Sequence, residues 1–433
     1  MKKFLAMLLC AMMLMSTAAL AATEYDVTEP ITITWWHAHE DQYNEYIDYM
    51  VNRFNEENGM GITVVPQYIG NYATIHAEFV SANGDDSGAS SVPALVSTNT
   101  SYPAQYGSEG LCEPLDDYIE AYDYDVADFG EGLIASTSYD DEQICLPYLI
   151  STQVMYYNKT AAEAEGIEMP KTIDDMDAFL EKATIFDENG KTVRYGTVFG
   201  GWDYWYYEML FKNNGVETVL PDRTTDVNSE KSVEITTKMK EWIDKGYAYY
   251  AYGEGASGNM RNLFIDGGAF SVFHTSSLYG TYMDRVAASA NPFEVGMAWL
   301  PGGSDGESFK SEVGGAVVFI PAKASQAEKN AAWQFLMFMT SPEINLYWSD
   351  KTGYFPTRQS VQGTPEYEEF LTRKPAMRDI VAMSAWINPR NQDPAYDSCA
   401  NAWRHALAKI FNEGAPVQET LDALAQEITE LLQ

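Results

Sequence analysis

The chain has 433 residues, of which 63 are acidic and 27 basic, for a formal net charge of -36. A surface this negative excludes nucleic acid and anionic membranes as partners. Apolar residues make up 46% and aromatic residues 13%, which excludes a disordered chain, and the length supplies two or more cores. The acids are spread along the chain and read as a solvated surface.

Residues 1–21 read as a leader. Lys2 and Lys3 precede an apolar run from Phe4 to Leu14, and Ala19-Leu-Ala21 forms a small-x-small cleavage site, with Ala22 as the mature N-terminus. Removing two lysines and no acids takes the charge from -36 to -38. Cys10 lies too early, after Leu8-Leu9, for a lipid-anchor signal. An exported, unanchored chain is expected, periplasmic or otherwise extracytoplasmic, with no membrane span. Cys112, Cys145 and Cys399 remain. Export permits a disulfide and the odd count leaves one thiol free. Cys112–Cys145 is the first pair to test, with buried unpaired thiols as the alternative. The absence of Cys-x-x-Cys argues against zinc.

The stretch 30–36, Pro-Ile-Thr-Ile-Thr-Trp-Trp, alternates as a strand does. Gln42 to Asn55 has helical spacing, with Tyr43, Tyr46, Ile47, Met50, Val51 and Phe54 as its apolar stripe. Gly61 to Val65 is a second strand, so the unit is βαβ and the sheet parallel. Gly70-Asn-Tyr72 turns into a helix over about 73–82. Gly84 to Ser91 reads as a surface loop and Pro93 to Val96 as a short third strand. Ile144 to Tyr157 is long, apolar and extended.

Phe199-Gly-Gly-Trp-Asp-Tyr-Trp-Tyr-Tyr207 carries six aromatic residues in nine. A helix starting near Trp202 would have Asp203 at its positive end. It would place Tyr204, Tyr207 and Phe211 on one face and Trp202, Trp205 and Met209 on its neighbour. Either every ring packs inside, or Trp202 and Trp205 form a shelf for the apolar face of a sugar ring.

Leu146-Pro-Tyr148, Ser151-Thr152 and Tyr156-Tyr-Asn-Lys159 together resemble the first crossing between lobes in bacterial extracellular solute-binding proteins of ABC importers, the sugar and glycerol-3-phosphate type. Further segments resemble that family in order: Trp35 to Ala38, Gly70 to Tyr72, Pro170 to Asp175, Phe264 to Ser277, Val313 to Ala316, Ala331 to Leu336, Thr340 to Glu343 and Thr352 to Arg358. The resemblance covers nearly the whole mature chain. It implies the α/β, two-lobed periplasmic-binding-protein-like fold of type II, with three interlobe crossings and the ligand cleft between lobes. The lobes would be 22–148 plus 275–315, and 152–272 plus 319–433. A monomer working with permease transmembrane subunits is implied, without cofactor. His274 departs from the family's usual ending of the Phe264–Ser277 segment, which puts the ligand contact there in doubt.

Ligands of parallel α/β sheets lie beyond the carboxyl ends of the strands, which puts Trp36, His37 and Tyr72 at a site edge. His37, His39 and Glu40 suggest a metal only weakly, since no distant ligands match them. Ser151 on the first crossing offers a contact or serves the hinge. Trp202 and Trp205, Ser276 and Ser277, Gly314 beside Gly315, and Tyr354 complete the expected cleft. Arg390, in Asn388-Pro-Arg-Asn391, has the fork that binds phosphate, or pairs with a surface acid; Arg358 has a weaker claim. The reading is a carbohydrate-binding receptor, with a glycerol-3-phosphate or glycerophosphodiester receptor as the alternative. An exported glycoside hydrolase using Asp203 and Glu208 comes third, because the chain lacks the common nucleophile, metal and phosphate-loop motifs.

Overall fold

The computed structural model describes residues 24–39, 43–84, 92–382 and 387–433. The expected leader, Glu40 and most of the expected loop before Pro93 lie outside them. The chain opens with strand β1 (Ile31–His37), helix α1 (Asn44–Glu57), strand β2 (Ile62–Tyr68), helix α2 (Tyr72–Gly84) and strand β3 (Leu95–Asn99). α1 buries Ile47, Met50, Val51 and Phe54, the stripe its spacing predicts. β1 pairs in parallel with β2 and with β3, as the βαβ pattern requires.

Strand β4 (Leu146–Asn158) is the spine of the molecule. Its first eleven residues are buried. β5 (Thr197–Gly200) and β6 (Ala248–Ala251) pair in parallel in the far lobe. β7 (Ser271–Thr275) and β8 (Val295–Ala298) then run antiparallel to the distal part of β4, with Thr275 opposite Gln153 and Val295 opposite Asn158. β9 (Ser311–Phe319) runs antiparallel to the proximal part, with Gly314 opposite Ser151, and also pairs with β3. The proximal sheet therefore has the order β2-β1-β3-β9-β4, and β4 carries it on into the second lobe. A bulge interrupts the β9–β4 register at Ala316/Val317. Next to it Gly315 has φ of +95°, and a Cβ there would stand 2.0 Å from the Leu149 carbonyl oxygen, so only glycine fits.

The cores divide the chain differently from the expected lobe boundaries. Helices α3 (Gln326–Met339) and α4 (Pro342–Lys351) pack Trp333, Phe335, Leu336 and Trp348 against Ile33, Trp35 and Phe54 of the first lobe. The Phe335 ring lies 5.6 Å from Trp35 and 5.0 Å from Phe54, centroid to centroid. Residues 319–351 thus belong to the first lobe. Conversely Leu278, Tyr279, Tyr282, Val286, Val295 and Met297 share a second-lobe core with Val154, Tyr156 and Val272, so the return crossing is not at Phe264–Ser277. There are three crossings, as expected: β4, β9 and the Tyr354–Phe355 step. Tyr354 joins the first core and Phe355 the second, while the Phe355 N–H donates to Ile150 O at 2.7 Å. The last helices, α5 (Tyr396–Glu413) and α6 (Val417–Leu431), close the second lobe through Trp403, Leu407, Leu421 and Ile428.

The helix expected from Trp202 is a single 3-10 turn, Tyr204–Tyr206, followed by the short helix Met209–Lys212. Asp203 caps the turn by accepting from Trp205 N at 3.0 Å. Tyr204, Tyr207 and Phe211 are nonetheless buried, as expected. Thr172 and Asp175 form a full capping box. No helix among the described residues is long and apolar enough to cross a membrane.

Candidate functional site

Where the crossings converge, groups of both lobes face one another. From the first lobe come Tyr72, at the start of α2, and Tyr102 and His76, whose rings stack at 4.3 Å. Tyr354, on the third crossing, is buried beside Tyr72 and Ser277, and burial raises its hydroxyl pKa. From the second lobe come Trp202, Asp203, Trp205, Tyr206 and Arg390. Asp203 is exposed, yet desolvation by surrounding protein raises its pKa, partly offset by Arg390. A carboxylate that meets solvent while walled by protein lies in a cleft. Burial also raises the hydroxyl pKa of Tyr206, whose side chain is only half-buried.

Trp205 is 5% exposed. Its indole lies over Gly314 of β9, where a Cβ would come within 2.3 Å of Cζ2. The guanidinium of Arg390 sits 5.6 Å from the centre of the Trp205 ring system. Trp205 is therefore not one half of a free shelf: backbone covers its edge and a cation one face. Its backbone carbonyl accepts from Gln153 Nε2 at 3.1 Å, while Gln153 Oε1 accepts from Glu312 N at 2.9 Å and Ser311 Oγ at 2.6 Å. One side chain of β4 thus ties the aromatic turn to β9. Trp202 stays half-buried, edge-on to Tyr206 and His274.

Arg390 is 8% exposed. Its Nη1 donates to Asn99 Oδ1 at 3.3 Å across the lobe boundary, and its Nε is buried without a hydrogen-bond partner. No carboxylate among the described residues forms an ion pair with it. Burial works against its charge, but Glu208 and Glu312 hold the pKa up.

Those two acids belong to a buried network under the site. Lys212 Nζ donates to Glu312 Oε1 and, at 2.8 Å, to the Tyr396 hydroxyl; that hydroxyl donates to Glu208 Oε2 at 2.8 Å. Burial, then repulsion from Glu312, pushes the Glu208 carboxyl up to about 8. Lys212 beside Glu312 holds that carboxyl below its ordinary range in spite of burial. At neutral pH the network therefore holds one carboxylate, one carboxylic acid and one ammonium. A cavity of about 760 Å³ adjoins it, lined by Tyr139 of the first lobe and by Lys212, Glu312, Asn391 and Gln392 among others.

The expected residues separate into two groups. Trp205, Gly314 and Arg390 come together with Ser151, whose Oγ would lie 3.2 Å from a Cβ at Gly314, and Trp202 meets Trp205 through Tyr206, while Tyr72, Ser277 and Tyr354 lie near one another. The others do not join them. The Trp36 indole donates to Gln67 Oε1 at 2.9 Å and packs on the first-lobe sheet. His37 is buried between Trp35 and His39, with Nδ1 accepting from His39 N, and burial lowers its pKa to about 4. Ser276 is fully buried, its Oγ accepting from Thr152 N at 3.2 Å, which is hinge geometry. Arg358 is committed to Asp128 at 2.7 Å and to Tyr124. Among the described residues no cluster of three or more His, Cys, Asp or Glu could hold a metal. Glu208 is buried and accepts from the Tyr396 hydroxyl at 2.8 Å.

Sequence reading missed Gln153, Lys212, Glu312, Tyr396 and Tyr102. Gln153 was within reach: it lies two residues past Ser151 on a strand and so shares its face. Lys212 meets Glu312 and Tyr396 across 100 and 184 residues, and Tyr102 meets His76 from another element, so no single motif contains these pairs.

Two lobes hung on three shared crossings, with polar and aromatic groups of both meeting at the hinge, define a receptor that closes over a small solute. The family model described as bacterial extracellular solute-binding protein matches residues 49–378, and the chain belongs to that family. Among curated relatives, it is 24% identical over 378 residues to the sn-glycerol-3-phosphate-binding periplasmic protein UgpB of Escherichia coli O1:K1, covering 82% of this chain and 80% of that one. Among solved structures it is similar to UgpB from Mycobacterium tuberculosis in complex with glycerophosphocholine, with TM-score 0.79, 22% identity and coverage of 94% and 98%. It is also similar to the GacH receptor of Streptomyces glaucescens, solved unliganded and with acarbose, with TM-score 0.77, 21% identity and coverage of 94% and 99%.

Proposed function

We infer that this protein, as the solute-binding component of an ABC importer, captures a polyol bearing a phosphate, of the glycerol-3-phosphate or glycerophosphodiester class, and hands it unaltered to the permease. The observation that carries the reading is Arg390: a guanidinium nine-tenths buried at the cleft, with Nε unpartnered, in a chain of net charge -36. With acids in such excess, an arginine held clear of an ion pair is kept for an anion. The hydroxyls of Tyr72, Tyr354 and Ser277 suit the polyol. The curated relatives named for sn-glycerol-3-phosphate agree with this reading.

A neutral carbohydrate is the second reading, favoured by the half-buried Trp202 beside Tyr206 and by the carbohydrate ligand of the GacH receptor. Calorimetry with glycerol-3-phosphate, glycerophosphocholine and maltotriose separates the two. Binding of either phosphate and not of maltotriose is expected; the reverse pattern overturns the phosphate reading. The protein is expected to act as a monomer, which sedimentation checks.

A further inference from the structure

Cys112 and Cys145 come together in the first lobe. Both are free thiols buried in one apolar cluster with Tyr106, Ile144, Val317 and Phe319, and Cys145 adds to the burial that raises the Cys112 pKa. Backbone pairing brings the two segments side by side. Leu115 N donates to Gln143 O at 2.7 Å, Glu113 N donates to Ile320 O at 2.8 Å, and Cys112 bridges to Pro321 next to the end of β9. Cys145 immediately precedes Leu146, the first residue of the crossing strand β4. Cys399 is buried in the other lobe, among Trp403 and Leu407.

We propose that Cys112 and Cys145 are a modification site, oxidised in the exported chain to a disulfide that anchors the first-lobe end of the crossing strand. The two S–H bonds break and one S–S bond forms. The two electrons and two protons pass to a disulfide oxidant, R–S–S–R, which leaves as two thiols. Exchange requires a thiolate, and burial raises the Cys112 thiol pKa, so the bond forms before the apolar cluster closes. A chain folded while reduced then oxidises slowly, and one folded in the oxidising compartment is locked. The bond closes a loop over residues 112–145, which carries Asp128, the partner of Arg358, and Tyr139, which lines the cavity next to Lys212. Its effect is to restrict the unfolded chain. The proposal concerns the first lobe alone and is independent of ligand identity.

The test uses the full chain exported by its own leader, denatured without reductant, alkylated and digested. One alkylated cysteine, Cys399, and a cross-linked Cys112–Cys145 peptide are expected. In Cys399→Ser no free thiol remains. Reductant lowers the melting temperature of the wild type by several degrees and leaves a Cys112→Ala/Cys145→Ala variant unmoved. Three alkylated cysteines in the mature chain, persisting after refolding with oxidised glutathione, overturn the proposal, as does a bridge that includes Cys399. If the double variant does not fold, the peptide map of the wild type and of Cys399→Ser still decides.

Discussion

Gly314 and Trp205 are packed so closely that the indole of one occupies the volume a side chain on the other would need: Cζ2 and Cη2 would lie 2.3 and 2.5 Å from a Cβ at 314. Gly314 belongs to a strand shared by the two lobes and Trp205 to the second lobe, so this contact sets the ring's height over the hinge. Gly314→Ala must push the indole off Arg390. Overpacking of this kind costs about 1–3 kcal/mol. Ligand affinity is expected to fall about tenfold or more, and the melting temperature by several degrees, as a cost of that size requires. Calorimetry and thermal denaturation on the same variant check both.

Arg390 is expected to be the most sensitive single position for a phosphate ligand. Charge-assisted hydrogen bonds contribute about 1.5–3 kcal/mol each, so Arg390→Ala should weaken glycerol-3-phosphate binding by about a hundredfold. Arg390→Lys keeps the charge but loses the fork and the stacking on Trp205, and should recover only part of the loss. Equal affinities for lysine and arginine would show that position 390 contributes charge alone.

The acid pair under the site gives a pH dependence with a definite sign. Glu208 titrates near 8 in the folded protein against an ordinary value of 4.5. Between those values the folded state holds a proton that the unfolded state has lost, so this group makes stability fall as pH rises through the window and level off above it. Glu208→Gln keeps an acceptor for the Tyr396 hydroxyl without the charge. It should therefore flatten the decline in melting temperature between about pH 5 and 8. An unchanged slope would assign the decline to other groups.

Glu312→Gln should behave in the opposite way. It leaves the buried Lys212 ammonium with Glu208 at 3.7 Å and the partly exposed Glu217 at 4.0 Å, and breaking one side of a buried pair costs about 3–5 kcal/mol. A drop in stability is expected at about pH 5 and a smaller one at about pH 7, because without the Glu312 repulsion Glu208 ionises below its wild-type range and takes the place of the lost charge. Urea unfolding at the two pH values measures it.

Arg358 and Asp128 are both almost wholly buried, with side chains 6% and 8% exposed. The guanidinium also lies 4.3 Å from the centre of the Phe129 ring. The link joins the segment after the third crossing to the first lobe. Asp128→Ala should cost several kcal/mol of stability, on the order of 3–5, with any change in ligand affinity smaller than that of Arg390→Ala. A larger loss of affinity than of stability would make Arg358 part of the recognition surface.

Residues 31–68 were readable from pattern alone, since alternation and 3.6-residue spacing are local properties. The crossings were found only through family resemblance, and one was misplaced. Phe264–Ser277 has the apolar, glycine-bearing character of a crossing, but what fixes a crossing is the partner on each side. β7 and β8 both pair with the distal half of β4, a fact of register that no local motif records. For the same reason Trp333 and Trp348, more than 270 residues from Trp35, gave no sign of sharing its core. Among the expected site residues, Arg390 reaches Trp205. His37 was misread because its position at a strand's carboxyl end suits a ligand, whereas strand alternation turns it inward, on the same face as Trp35.

β9 lies between β3 and β4 in the first-lobe sheet, although some 150 residues separate it in sequence from β4 and about 200 from β3. The amino-terminal lobe therefore lacks an interior strand until residue 319 has been made. An emerging chain shorter than that has no complete lobe to fold, which keeps it slack enough to thread outward through a narrow conduit. A plasmid encoding only the first 300 residues should yield aggregate or proteolysed material in place of a half receptor.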